Sequence, residues 1–192
     1  MKKIARRVIV GAALGLATFV GGTVAGAQSY PNRAITVIIP FAGGSASDVV
    51  TRIMLDKMSK SMDQPIIVEN RPGAGGNTGT GAAAKAAPDG YTLVGSGSGP
   101  FAANKVLYKN LGYDPLKDFE VISPFAYFNI VIVASAKLSV KTLKEMIEYA
   151  KAHPGQLNYG SVGIGSSQHL AGEYFQQVAG VKMTHVPYRN IA

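Results

Sequence analysis

The sequence predicts an α/β protein built on mostly parallel sheet, and three observations carry that expectation. First, Ile35-Thr36-Val37-Ile38-Ile39 is β-branched and apolar without alternation. That is the pattern of a strand buried on both faces, as in a parallel sheet. Second, similar runs at Ile66 to Val68, Thr92 to Val94, Ile130 to Ala134 and Leu157 to Tyr159 are separated by helical patterns. Third, Gly/Ser-rich loops join strand ends to helix starts.

In chain order, the first segment is a candidate export signal. Lys2, Lys3, Arg6 and Arg7 are followed by an uncharged stretch from Val8 to Val20 and by Ala25-Gly26-Ala27 ahead of Gln28. That order predicts a secretory signal peptide over 1–27, cleaved after Ala27. Its strongly apolar part falls short of the ~20 residues that cross a bilayer. Ala5 and the rest of the motif fit a twin-arginine signal poorly, so Sec export is the default. The signal takes four of the 19 basic residues and none of the 11 acidic ones, which leaves a net charge of +4 on the rest of the chain. The basic residues are scattered, not gathered in the stripe that nucleic-acid binding needs, so no nucleic-acid partner is expected. A mild positive field suits anions. With no cysteine, the exported chain depends on its core and has no site for a lipid anchor. A soluble periplasmic monomer is expected.

After a lead over Gln28 to Ala34 comes the first strand. A helix over Ala46 to Met62 follows, with apolar residues at Val50, Ile53, Met54 and Met58. Thr142-Leu143-Lys144-Glu145 is a capping box. Leu143, Met146, Ile147 and Ala150 continue it as a helical stripe, ended by His153-Pro154-Gly155. Gln168 to Val178 is a further helix, stopped by Gly180. A composition shift over Asp114 to Tyr127 sets a lobe boundary: residues 28–125 form a first α/β lobe and 126–192 part of a second. Phe125, Tyr127 and Phe128 are expected in the core. The chain ends at Val186-Pro187-Tyr188-Arg189-Asn190-Ile191-Ala192 without a closing helix. The expectation is a truncated second lobe and a first lobe lacking its return strands.

The loops carry the chemistry. The first is Ala42-Gly43-Gly44-Ser45-Ala46-Ser47-Asp48, the second Gly95-Ser96-Gly97-Ser98-Gly99-Pro100, and the third Gly163-Ile164-Gly165-Ser166-Ser167. A looser fourth runs from Val68 to Asn77. Ligands of open α/β sheets bind at the carboxyl ends of the strands. Glycine admits a ligand to the backbone, and the free N–H groups of a helix's first turn accept an anion. Any one such loop is equally well explained as a tight turn with a cap; three in one short chain favour a cleft. Asp48, three residues after Ser45, reads as a helix-capping group, with contact to a ligand amino or hydroxyl group as the alternative.

Enzyme motifs fail. There is no G-x-G-x-x-G, no phosphate loop and no G-x-S-x-G, and Gly79-Thr80-Gly81-Ala82-Ala83-Ala84 has no strand directly before it. His153, His169 and His185 lack metal-motif spacing, and His153 reads as a helix C-terminal residue. No cofactor, metal or catalytic residue is expected.

Seven blocks together resemble the solute receptors of the tripartite tricarboxylate transporters, the Bug family. They are Tyr30-Pro31-Asn32-Arg33; Ile39-Pro40-Phe41 with Gly43-Gly44 and Asp48; Val68-Glu69-Asn70-Arg71-Pro72-Gly73-Ala74-Gly75-Gly76; Pro88-Asp89-Gly90-Tyr91-Thr92-Leu93; Tyr113-Asp114-Pro115 with Asp118-Phe119; Gly163-x-Gly165-Ser166-Ser167-x-His169-Leu170; and His185-Val186-Pro187-Tyr188. Asn190 departs from the family's usual glycine, and family members continue for roughly another domain.

The resemblance implies a type II periplasmic-binding-protein fold with two Rossmann-like lobes. It implies capture of a small carboxylate, handed to a membrane permease or a sensor. The residues it assigns to the ligand are Phe41, Gly43, Gly44, Ser45 and Asp48 in the first lobe, and Gly163, Gly165, Ser166, Ser167 and His169 in the second. Ser96 and Ser98 are weaker candidates, and Tyr188 weaker still. Two alternatives stand beside this reading: an exported enzyme acting on an anionic substrate, and a truncated product that binds nothing.

Overall fold

A computed structural model describes residues 29–188. The candidate signal peptide and the residues after Tyr188 lie outside them. Residues 33–188 belong to one unit. Its first sheet has the order β2-β1-β3, with β1 Ile35–Ile39 at the centre, β2 Ile66–Asn70 and β3 Thr92–Val94. Both pairings are parallel, with Val37 opposite Val68 on one side and Leu93 on the other. A second sheet pairs β4 Asn158–Ser161 with β5 Thr184–Pro187, again parallel, with Tyr159 opposite His185.

The lack of alternation in β1 has the predicted cause. Ile35, Val37, Ile38 and Ile39 are all buried. Helix α1, Ala46–Met62, covers the sheet with Leu55, Met54, Met58 and Met62, which pack with Ile35, Val37, Ile66, Val68, Tyr91 and Leu93. The predicted stripe is rotated: Ile53 faces outward, while Asp48, Thr51 and Leu55 are buried. Thr51 satisfies its hydroxyl on the Ser47 carbonyl, 2.6 Å away, so a polar residue can share that face. Helix α2, Asn77–Ala84, packs against β1 and β3. A wide π-type turn over Gly99–Ala103 runs into the short helix α3, Asn104–Leu107.

Helix α4, Leu143–Ala152, begins at the expected box, with the Glu145 N–H donating to Thr142 Oγ1 at 3.2 Å. The return arm is displaced by one residue: Glu145 Oε2 accepts from the Lys141 N–H at 2.7 Å. Helix α5, Ser167–Ala179, ends on Gly180 in the left-handed region, as glycine at that position predicts.

Two expectations are corrected. Ile130 to Ala134 is not a strand. No described strand lies beside it, and a strand without a ladder leaves its backbone groups unpaired. Phe125, Tyr127 and Phe128 are exposed rather than core, with Tyr127 91% accessible. Among the described residues, nothing covers the irregular 121–133 segment enough to bury them.

Candidate functional site

The site is built from the ends of the parallel strands. The first loop leaves β1 at Pro40 and enters α1 at Ser45, whose Oγ accepts from the Asp48 N–H at 3.3 Å. Asp48 returns to the loop one residue before the cap, accepting from the Gly44 N–H at 2.9 Å, the same displacement seen at Glu145. Gly44 sits at φ 82°, a left-handed conformation that glycine adopts without strain.

Asp48 is a junction rather than a free carboxylate. Its Oδ1 accepts from Arg52 Nε at 3.0 Å and from Asn70 Nδ2 at 2.8 Å. Asn70 also donates to the Phe41 carbonyl at 3.1 Å and accepts from Arg52 Nη2 at 2.8 Å. The end of β2 therefore holds both arms of the first loop. Burial pushes the Asp48 carboxyl up. The hydrogen bonds from Arg52, Asn70 and Gly44, with the Arg52 charge, outweigh this and hold it below its ordinary value.

The third loop is organised in the same way. Ser166 caps α5, accepting from the His169 N–H at 3.3 Å and donating to the Gly163 carbonyl at 2.8 Å. The Gly165 N–H donates to His169 Nδ1 at 3.2 Å, which ties the third loop to the first turn of α5. Behind the loop, Ser161 Oγ lies 2.7 Å from His185 Nε2 and accepts from the Gly163 N–H at 3.0 Å. His185 stacks on Tyr159 and lies tilted against His169, with ring centroids 4.9 and 4.3 Å away. Burial, and then the neighbouring His169, lower the His185 pKa. The Ser161–His185 contact was invisible in sequence, because 24 residues separate the partners and only the β4–β5 register brings them together. Ser161 is buried, so its hydroxyl braces the loop and is not presented to a substrate.

The loops converge. A Cβ on Gly75 would lie 2.3 Å from the Ile164 carbonyl oxygen, and one on Gly99 would lie 2.1 Å from that of Gly165. The third loop thus rests directly on the second and fourth, backbone against backbone. Ser98 Oγ and Ser167 Oγ meet at 3.3 Å, and Ser96 Oγ meets Thr80 Oγ1 at 3.3 Å. Phe41 joins the cluster over Gly76, where a Cβ would lie 3.1 Å from its ring. Beneath lies a buried amide pair missed in the sequence: Asn104 Nδ2 donates to Asn77 Oδ1 at 2.6 Å, and Tyr113 Oη donates to the same oxygen at 3.1 Å.

The amides of Gly44, Ser45, Gly165 and Ser166 are used within their own loops. Those of Ala46 and Ser47 at the start of α1, and of Ser167 and Gln168 at the start of α5, make no hydrogen bond among the described residues. These four N–H groups are the ones an anion can take, with both helix dipoles favouring negative charge. The described residues contain no cluster of His, Cys, Asp and Glu able to hold a metal ion. No described helix is long and apolar enough to cross a membrane.

Residues 50–192 match the model of the tripartite tricarboxylate transporter family receptor. Among curated relatives, the chain is 38% identical over 164 residues to the protein BugT of Bordetella pertussis, covering 85% of this chain and 50% of BugT. A solved structure of a periplasmic transporter superposes with a TM-score of 0.81 at 41% identity, covering 84% of this chain and 54% of the other. MatC of Rhodopseudomonas palustris with bound malate gives 0.78 at 34% identity, covering 84% and 55%. A second R. palustris protein, solved with adipate, gives 0.71 at 30% identity, covering 84% and 54%. The chain spans about half the length of the relatives it matches.

Proposed function

The chain belongs to the tripartite tricarboxylate transporter receptor family, and from that premise we propose that it captures a small mono- or dicarboxylate in the periplasm for a membrane permease or a sensor. Residues 1–27 are its proposed export signal, removed after Ala27, and residues 28–125 and 126–192 its proposed lobes. The observation that carries the reading is the pair of helix starts at α1 and α5. Each follows a glycine-containing loop and leaves its first two amides unbonded. Each helix terminus favours an anion by ~0.3–1 kcal/mol, and up to ~2 when partly buried.

In this reading Gly43, Gly44, Ser45, Gly163 and Gly165 shape the approach, while Ala46, Ser47, Ser167 and Gln168 donate. Asp48 acts through Gly44 and Asn70, and His169 acts through Gly165. Phe41 and Ser98 flank the same loop cluster. Ser96 contributes through Thr80.

Calorimetry tests the proposal. Malate should bind, and its neutral diamide should bind at least tenfold more weakly, because the amide lacks the charge that helix termini favour. Equal affinity for acid and amide defeats the reading. Consumption of malate in the same cell supports the enzyme alternative instead.

A further inference from the structure

Tyr108, directly after α3, donates its hydroxyl to the Ile164 carbonyl at 2.9 Å, across 56 residues of sequence. Ile164 is the exposed tip of the third loop, between Gly163 and Gly165. The surrounding contacts there are close packing against backbone and the Asn104 side chain, made possible by glycine. Gly163 lies on the Gly75 N–H, Gly165 on Asn104 Oδ1 and Gly99 on the Gly165 carbonyl. Such packing has shape but little direction. The directional ties are the Ser98–Ser167 contact at 3.3 Å, on the exposed side, and the Tyr108 bond. Burial raises the Tyr108 phenol above its ordinary value, so it remains a donor throughout the physiological range.

We infer that Tyr108 is a positioning residue that holds the third loop in its ligand-ready place by fixing the Ile164 carbonyl against the first sheet's loops. Tyr108 touches no ligand in this account. It sets where the Ser167 and Gln168 amides stand relative to α1. The inference deepens the carboxylate reading and rests on it for its purpose, but the positioning itself is present without ligand.

The test is Tyr108→Phe in the full chain, which removes one oxygen and keeps the ring. Amide hydrogen exchange is read without ligand at Gly163, Gly165 and Ser166, with the β1–β2 ladder as an internal reference. A single hydrogen bond of ordinary strength predicts roughly two- to tenfold faster exchange at the loop. The reference ladder should be unchanged. Unchanged loop exchange overturns the inference. So does acceleration spread equally over loop and ladder, because that marks a general loss of stability. As a second variant, Ser98→Ala should accelerate the same amides less than Tyr108→Phe; a larger effect from Ser98→Ala also overturns the assignment. Malate affinity is measured separately, so failure of carboxylate binding leaves the exchange result readable.

Discussion

Asp48 and Asn70 are 22 residues apart in sequence and joined by a 2.8 Å hydrogen bond, which fastens the start of α1 to the end of β2. Everything the first loop does depends on that fastening, because Asn70 also holds the Phe41 carbonyl and Asp48 also holds the Gly44 N–H.

The first prediction concerns acid. The Asp48 pKa is lowered in the folded chain from its ordinary value of 3.8. Its stabilising contribution is therefore complete above about pH 4 and is lost as pH falls through the folded value. Denaturant midpoints measured from pH 6 down to pH 3 should fall, and Asp48→Asn should flatten that fall while lowering the midpoint at neutral pH. A variant with the parent's full acid dependence removes Asp48 from this role.

The second prediction contrasts two glycines of one loop. A Cβ on Gly97 meets nothing within 4 Å, whereas one on Gly99 lies 2.1 Å from the Gly165 carbonyl oxygen. Gly97→Ala should be neutral or stabilise by up to about 1 kcal/mol, through the unfolded chain. Gly99→Ala should cost about 1–3 kcal/mol, because backbone must move. Thermal unfolding of the pair decides it, and equal midpoints would remove the third loop from Gly99.

The third prediction separates adjacent serines. Ser166 is buried and caps α5, while Ser167 is the first helical residue. Ser166→Ala should cost about 1 kcal/mol, the usual worth of an N-cap. Ser167→Ala should change stability by less than about 0.5 kcal/mol. Chemical denaturation of both variants checks the order.

The fourth prediction concerns the histidine pair. The folded pKa of His185 lies below its ordinary 6.5, so the unfolded chain binds the proton more readily. Stability from this group is complete above pH 6.5 and is lost as pH falls through the folded value. A denaturant midpoint that declines between pH 7 and pH 5, and declines less in His185→Gln, is the expected result. No difference in slope would place the dependence elsewhere.

Sequence alone located most of the scaffold. Ile35 to Ile39 announced burial on both faces, Thr142 and Glu145 marked the start of α4, and Gly180 marked the end of α5, because each is a local signal. Ile130 to Ala134 misled, since β-branched composition states a preference and a ladder still needs a neighbour. The supporting contacts of the site were illegible for a related reason. Asn70, Asn104, Tyr108 and His185 carry no local pattern, and their roles exist only after strands and loops distant in sequence have met. The glycines marked the loops correctly, but not which amides the loops consume internally: those of Gly44 and Gly165 are taken, and the free ones lie two and three residues further on.

The order β2-β1-β3 also has a consequence for the timing of folding. The central strand is the first of the three to emerge in synthesis, and both neighbours come from later in the chain. Until Ile66–Asn70 is available, Ile35–Ile39 has no lateral partner in its own sheet, and its second edge waits for Thr92–Val94. A parallel pair cannot close as a quick hairpin, because the crossover must be made first. The most apolar strand of the sheet is therefore the one left waiting longest, open to capture by other chains or by a chaperone. Nascent chains ending near residue 60 should bind such a holder more readily than chains extending past residue 95.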